Sequence, residues 1–353
     1  MLRCLAFEAD TASAIDMREA LIRRHGGPDV FELRERHAPE PGAGEVRIHV
    51  RAAGVNFADI LGRMGLYPDA PRGPYVPGYE VAGVVDTVGA GVTRVVPGER
   101  VVALTRFGGY ADTVVVPADY VFATPRDTSD AEAAALPVAH LTALVALYRM
   151  ANVQAGEIVL VRSAGGGVGL AAADLCRLRR ATVVGIASGG KLEAIRRLGV
   201  DHPIDRRADV PREVMRITGG RGADVVLDAI GGASFAESYR LLAPLGRLII
   251  FGVSAAAPTS VRQWWPVLRT LWAMPRFKAL SLINRNRGVF GLNVGHLWDE
   301  RRHLASAMEF LLGELATRRL APRVDRTFPL DDVAEAHRYI QERKNVGKVI
   351  LTI

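Results

Sequence analysis

Residues 157–180 read EIVLVRSAGGGVGLAAADLCRLRR, and no other stretch constrains the fold as much. An apolar, β-branched run at 158–161 has the length of a buried strand. It breaks at Ser163, Ala164, Gly165, Gly166, Gly167, Val168 and Gly169, and helix formers follow from Leu170 to Leu178. Strand, glycine turn and helix in that order are the setting in which a G-x-G-x-x-G pattern binds a dinucleotide. Glycine lets the backbone approach a pyrophosphate, and the helix start offers unpaired N–H groups and the positive end of its dipole. Here Ala164 stands at the first glycine position, with Gly166 and Gly169 at the others. The run from Ala164 to Val168 and Gly169 is therefore expected to cradle a cofactor, where an isolated glycine turn would imply none.

At 353 residues the chain is long enough for two ordinary domains. Its 49% hydrophobic and 24% charged residues suit a water-soluble globular protein. No apolar run reads as long enough to span a bilayer, and Arg3, Glu8 and Asp10 interrupt any signal-peptide core. Two cysteines, Cys4 and Cys176, are too few for a disulfide framework and point to a reducing, cytoplasmic setting. A net charge of +7 favours anionic ligands weakly; without a recognisable module it does not suggest nucleic acid. Residues 1–16 read as an extension, expected to be poorly ordered.

Two textures divide the rest. Up to about residue 125 there are short strands and turns. Val46, Ile48 and Val50 alternate with Arg47, His49 and Arg51, and strands at 81–88, 100–104 and 113–116 are punctuated by glycine pairs. This predicts a β-rich, barrel-like domain. From about residue 141 strands at 158–162, 182–187, 224–229 and 247–252 alternate with helices near 168–179, 190–198, 209–218 and 233–242. That is the pattern of a doubly wound parallel sheet. Gly231, after Asp228, and Gly252 and Val253, after Phe251, then fall at the carboxyl ends of strands, where ligands sit. Ordinary turn glycine explains them equally well. A strand at 289–292, helices near 299–318 and 333–343, the second capped by Asp331 and Asp332, and a strand at 348–353 complete the chain.

These stretches resemble the medium-chain dehydrogenase/reductase family, in its zinc-independent quinone oxidoreductase branch and nearest the vesicle amine transport protein-like group. The resemblance rests on GVNFADILGRMGLYP (54–68), PGYEVAGVV (77–85), GERVVAL (98–104), ALPVAHLTALVAL (135–147), the glycine run, GADVVLDAIGG (222–232), VFGLNVGHL (289–297) and KNVGKVIL (344–351). It implies an α/β architecture: a GroES-like β-rich catalytic domain (17–140 and 296–353) and a Rossmann domain with a doubly wound parallel sheet (141–295). It also implies cofactor contacts for Thr142, near the nicotinamide, and for Phe290, Leu292 and Asn345. Metal-dependent members carry a zinc-ligating Cys at the position of Asn56 and a His at that of Tyr79. This chain has neither, and it lacks the cysteines of a structural zinc lobe, so no metal is expected.

Without a Lewis acid to polarise a simple carbonyl, an electron-poor acceptor such as a quinone, enone or enoyl thioester becomes the expected substrate. Hydrogen-bond donors aimed at the developing oxyanion contribute about 3 kcal/mol each. By the resemblance, Asn56 and Tyr67 are the candidate catalytic donors, with Asp59 beside them. Each has a structural reading too: turn-holding for Asn56, a packed aromatic for Tyr67, helix capping for Asp59. Tyr79 fills the second ligand position, His140 either faces the nicotinamide or is a core histidine, and Thr142 opens a helix or contacts the ring.

Dinucleotide sheets that prefer NAD carry an acid at the end of the second strand. Here no acid occurs from Ala181 to Gly190, while Ser188 and Lys191 suit a 2′-phosphate and Arg206 can add a second cation. The cofactor is expected to be NADPH, unless these cations are merely solvated.

Three of the four tryptophans, Trp264, Trp265 and Trp272, fall within 261–287, together with six Lys or Arg and no acid. Val261, Trp264, Trp265, Leu268, Leu271 and Trp272 share a helical face, with Pro266 forcing a kink or late start. The segment reads as a helix packed over the cleft or at a dimer interface, as a substrate lid, or as a membrane-surface patch. The expected partners are a small apolar electrophile and a second copy paired through 289–292.

Overall fold

The computed structural model describes residues 16–257 and 265–353. The expectations for the first fifteen residues, and for Val261, Arg262 and Trp264, lie outside these. Asp16 already belongs to the first strand, β1 (Asp16–Ile22), which pairs antiparallel with β2 (Phe31–His37).

The long strand β3 (Glu45–Val55) leads into helix α1 (Phe57–Arg63), then β4 (Glu80–Val88), β5 (Arg100–Leu104), β6 (Thr113–Pro117) and β7 (Val121–Ala123). Its apolar residues Val46, Ile48 and Val50 are buried in the domain core with Val81, Val85 and Val101. Arg47, expected on the solvent face, is buried instead, because Glu40 and Asp86 pair with it and satisfy its guanidinium.

Next come α2 (Asp130–Ala135) and α3 (Pro137–Leu144), which widens into a π-helical stretch at Val145–Met150. Contrary to the sequence reading, Asp130–Met150 is long and apolar enough, by length and composition, to cross a membrane. Its side chains are mostly buried within the protein, as expected of a helix between two domains.

The alternating half follows: β8 (Ile158–Arg162), α4 (Gly167–Arg179), β9 (Thr182–Ala187), α5 (Leu192–Arg197), β10 (His202–Asp205), α6 (Val210–Ile217), β11 (Ala223–Asp228), α7 (Ala233–Arg240) and β12 (Leu242–Ile250). Helices α8 (Trp265–Trp272) and α9 (Ala279–Arg285) precede β13 (Gly288–Gly291). All six strands are parallel, in the order β10-β9-β8-β11-β12-β13. The order reverses between β8 and β11, so the glycine turn after β8 lies at the switch point where such sheets bind ligands.

Helix α10 (Arg301–Ala316) carries the chain back, and β14 (Val324–Pro329), α11 (Val333–Gln341) and β15 (Lys348–Thr352) end it. Strand β15 pairs with β3, extending the first sheet to β14-β15-β3-β4-β5-β7, with β6 also on β3. Asp331 and Asp332 do not cap α11 through their side chains: Asp331 accepts from Arg18 at 2.8 Å, and Asp332 makes no cap bond.

Late-starting α8 fits Pro266, and its buried Thr270 packs against Gly232, beyond the end of β11. Trp265 is 78% and Trp272 91% exposed, and Leu268, Leu271, Leu280 and Ile283 are exposed beside them.

Candidate active site

The glycine turn is shaped by contacts that only glycine tolerates. A Cβ on Gly169 would come within 2.7 Å of the Ala164 backbone and of the Ser163 carbonyl, so α4 can start this close to β8 only with glycine there. Gly166 is the N-cap, and a Cβ on it would meet nothing nearer than 3.4 Å. The cradle is therefore open, and the first N–H groups of α4 have no partner within the helix. Gly347, at φ +115°, donates its N–H to Gly165 O at 2.9 Å, so the returning chain clamps the turn. This geometry fits a pyrophosphate. Gly169→Ala is expected to cost about 1–3 kcal/mol through overpacking and to weaken dinucleotide binding; thermal unfolding with and without cofactor measures both.

Gly231 and Val253 close one wall: a Cβ on Gly231 would lie 3.2 Å from Val253 Cα, and Gly252 is equally tight against Ala229. Leu292 is buried and donates to Ile250 O at 2.8 Å, while Phe290 is partly exposed on the edge strand β13.

At the far end of the cleft Ser188 begins the loop after β9, and the Lys191 ammonium donates to Asn345 O. Burial, and then the neighbouring Arg206 and Arg343 against the pull of Asp325, holds Lys191 below the usual lysine range. Arg343, also lowered by burial and by Arg206, completes a cluster of three cations that the sequence reading left at two. A carboxylate escaped that reading as well. Asp205 comes from β10 rather than β9, and a Cβ on Gly189 would lie 2.5 Å from its Oδ2. Its other oxygen accepts from Arg207 N–H at 3.0 Å.

The floor of the cleft is a buried polar network. Glu80, fully buried on β4, accepts from Lys348 Nζ at 2.6 Å and from Asn56 Nδ2 at 2.8 Å through Oε1. Its Oε2 accepts from Val138 N–H at 2.7 Å, in the first turn of α3. Lys348 also donates to Asn56 Oδ1 at 2.7 Å and to Val55 O at 3.1 Å, which uses all three of its protons. Asn56 is thus held by the network through its oxygen and one amide proton, and its second amide proton faces Gly54 O at 3.5 Å. Glu80 and Lys348 were absent from the sequence reading, although a lone acid and a lone cation in otherwise apolar strands were the available signal.

Asp59 does not face the cleft. It is 2% exposed and accepts from Asn56 N–H at 2.8 Å and from Gly78 N–H at 3.0 Å, tying the start of α1 to the turn before Tyr79. It is a positioning residue, with capping as its local role. Burial pushes its carboxyl up to about 7, against the hydrogen bonds that favour ionisation. Between about pH 4, where an unfolded aspartate ionises, and pH 7, the native state holds the extra proton. Stability from this group is present below that window and falls as pH rises through it. The carboxyl carbon of Asp59 should titrate with a midpoint of about 7 by NMR, and Asp59→Asn should remove this descending limb from the pH–stability curve.

Thr142 lies mid-helix in α3 rather than opening it, and its hydroxyl donates to Val138 O at 2.7 Å. His140 is buried and does not face an open nicotinamide pocket. Its Nδ1 lies 3.1 Å from Leu136 O, while Nε2 has no partner and lines a cavity of about 10 Å³ with Gly167, Asp174, Arg323 and Lys348. Burial lowers its pKa to about 4, keeping the ring neutral.

Tyr67 and Tyr79 form the aromatic rim. Their ring centroids are 6.4 Å apart, and Phe107 lies 5.2 Å from Tyr79. Burial raises both phenols, so both keep their protons. The Tyr67 hydroxyl donates to Asn293 Oδ1 at 3.3 Å.

The positions that would need a thiolate and an imidazole for zinc present an amide and a phenol, and the nearby Glu80 carboxylate is already met by an ammonium. That donor set does not fit a zinc ion. Among the described residues no group of three or more His, Cys, Asp or Glu forms a metal cluster.

A β domain carrying a polar cleft, joined to a parallel sheet with a pyrophosphate cradle at its switch point, defines a two-domain oxidoreductase built for a nicotinamide dinucleotide. Residues 42–126 match the alcohol dehydrogenase GroES-like domain, and residues 198–351 match the zinc-binding dehydrogenase domain. The chain is 40% identical over 339 residues to the rat synaptic vesicle membrane protein VAT-1 homolog, covering 95% of this chain and 84% of that one. Among solved structures, a Pseudomonas syringae quinone oxidoreductase superposes with a TM-score of 0.84 at 29% identity, covering 96% of this chain and 100% of its own. A mycobacterial protein complexed with NADPH does so with a TM-score of 0.84 at 28% identity, covering 96% and 100%. The chain belongs to the medium-chain dehydrogenase/reductase family, in its VAT-1 group.

Proposed function

We propose that this protein is an NADPH-dependent, metal-independent reductase that transfers hydride to a quinone or to the activated double bond of an α,β-unsaturated carbonyl compound. One observation carries the reading: in the cleft floor the cation against Glu80 is Lys348 rather than a metal. Such a cleft is suited to acceptors that are already electrophilic. NADPH, when bound, supplies the hydride. The open turn at Ala164, Gly165, Gly166, Gly167, Val168 and Gly169 would hold its pyrophosphate, and Ser188, Lys191, Arg206 and Arg343 its 2′-phosphate. Three cations against the two carboxylates of Asp205 and Asp325 favour the phosphorylated cofactor. The remaining work falls to this chain's own groups. Tyr67 and the Asn56 amide proton that is held only by the long 3.5 Å bond to Gly54 O bind the acceptor oxygen and stabilise its developing charge. Tyr79 and Phe107 exclude water and accept an apolar ring. A buried Cys176 whose thiol is raised by burial fits a reducing, cytoplasmic setting.

The test is NADPH oxidation against a panel of quinones, enones and enoyl thioesters, with elemental analysis of the same preparation. Turnover without stoichiometric zinc is expected. Tightly held zinc, or NADH bound as tightly as NADPH, would overturn the corresponding part of the proposal.

The exposed faces of α8 and α9 favour a second reading, a dinucleotide-binding protein that works at a membrane surface. Trp265 and Trp272 share the segment with Arg269, Arg276, Lys278 and Arg285, with no acid between 265 and 287, while Arg287 turns inward to the Tyr239 and Leu242 carbonyls. Strong flotation with anionic liposomes, with no turnover on any acceptor, would put this reading first. A second copy paired through the edge strand β13 is the proposed assembly, and sedimentation measures it.

A further inference from the structure

Segments 224 to 227 residues apart meet at the mouth of the cleft. One is the loop after α1, which carries Tyr67 and Asp69. The other follows β13 and carries Asn293 and His296. Asn293 Oδ1 accepts from the Tyr67 hydroxyl at 3.3 Å and from Gly295 N–H at 3.0 Å. Its Nδ2 donates to Asp69 Oδ2 at 3.2 Å, and the same oxygen lies 2.8 Å from His296 Nε2. The amide has one workable orientation: two donors face its oxygen and a carboxylate faces its nitrogen. A Cβ on Gly295 would crowd Asn293 Oδ1 at 3.2 Å while meeting Tyr67 Oη in ordinary contact at 3.5 Å.

We propose that Asn293 is a positioning residue for Tyr67, the hub of a strap that ties the substrate-side loop to the cofactor domain and fixes the phenol at the cleft mouth. The proposal rests on the reductase reading only in taking Tyr67 to meet the acceptor. By accepting the hydroxyl proton, Asn293 keeps the tyrosine ring in place and its oxygen lone pairs turned away from the strap. An arriving acceptor oxygen competes with Asn293 for that proton, and Asn293 retains Gly295 as a partner when it loses. Because Asn293 directly follows Leu292, any shift of the strand that borders the cofactor wall is passed to Tyr67.

The test uses the full chain labelled with 3-fluorotyrosine, with the Tyr67 resonance assigned through Tyr67→Phe. Asn293→Leu removes every side-chain bond of Asn293 at similar volume and leaves only His296 on Asp69 across the strap, and Asn293→Asp sets a carboxylate against Asp69. The exchanged pair Asn293→Asp with Asp69→Asn restores one amide facing one acid. The expected result is a shifted and broadened Tyr67 fluorine signal in both single variants and a return toward the wild-type signal in the exchanged pair. The KM for the acceptor should rise about tenfold, the equivalent of about 1.4 kcal/mol, with a smaller change in kcat and a recovery in the exchanged pair. An unchanged fluorine signal in Asn293→Leu overturns the strap. A shifted signal with unaltered KM and kcat overturns its role in positioning. A shifted signal in a protein whose wild type reduces no acceptor supports the strap while the reductase reading fails.

Discussion

Lys348→Met is expected to lower the unfolding free energy by about 3–5 kcal/mol, the usual result of removing one partner from a buried ion pair. Glu80 is fully buried and accepts three hydrogen bonds, from Lys348, Asn56 and Val138. Without the ammonium its charge is left with two neutral donors in a site closed to water. The loss should not be local. Lys348 opens β15, the strand that joins the C-terminal segment to β3, and its stem fills the space beside Gly167. A double variant, Glu80→Gln with Lys348→Met, removes both charges and should recover much of the stability: the amide oxygen still accepts from Val138 N–H, and Asn56, whose Oδ1 has lost Lys348, can flip to accept from the new amide N–H. Urea unfolding of the two single variants and the double variant forms a cycle. A large favourable coupling energy is expected, and simple additivity would show that the two side chains do not depend on each other. Activity should fall further than stability in Lys348→Met, because Asn56 loses the partner that orients its amide.

The second large effect is expected at the other end of the cleft. Lys191→Glu should weaken NADPH binding about 100-fold or more, since it removes one charge-assisted hydrogen bond worth about 1.5–3 kcal/mol and sets a carboxylate against a phosphate. NADH, which lacks that phosphate, should be affected by less than about tenfold, so the preference should narrow or invert. Some weakening common to both cofactors is expected, because Lys191 also anchors Asn345 O and through that loop supports the clamp of Gly347 on the glycine turn. Arg343→Glu separates the two contributions: it alters the same charge cluster without touching Asn345. Titration of tryptophan fluorescence with each cofactor gives both constants. Equal losses for NADPH and NADH in Lys191→Glu would assign the lysine to loop support alone.

Apolar runs and alternation gave most strands of both sheets to within a few residues, since each strand has to bury a face whatever surrounds it, but β7 and β14 went unread. The glycine turn was legible for a related reason. Its constraints act between residues 163 and 169, over a few ångströms of backbone, and they are written in the local absence of side chains. The missing metal ligands at Asn56 and Tyr79 could be read from identity at two positions. Asn56 and Asp59 are joined by a hydrogen bond and Tyr67 packs against Tyr79, but these contacts were not legible in the sequence. Asp59 was expected at the reaction and instead spends both oxygens on backbone N–H groups. Arg47 was assigned to solvent by its alternation with Val46 and Ile48, and two acids from neighbouring segments bury it.

The sequence by itself thus determined the two-domain plan, the glycine turn after β8 and the amide and phenol at positions 56 and 79, because each depends on periodicity, on residue identity or on a short turn. Tertiary structure alone decided which charges meet. Glu80 and Lys348 are 268 residues apart, and Tyr67 and Asn293 are 226. The third cation beside Lys191 and Arg206, Arg343, arrives on the returning chain, and Asp205 on a different strand from the one that carries the usual acid. Hydrogen bonds and buried ion pairs are made through space at about 3 Å, and no pattern along the chain specifies them until β15 has closed against β3 and β13 has brought Asn293 to the mouth of the cleft.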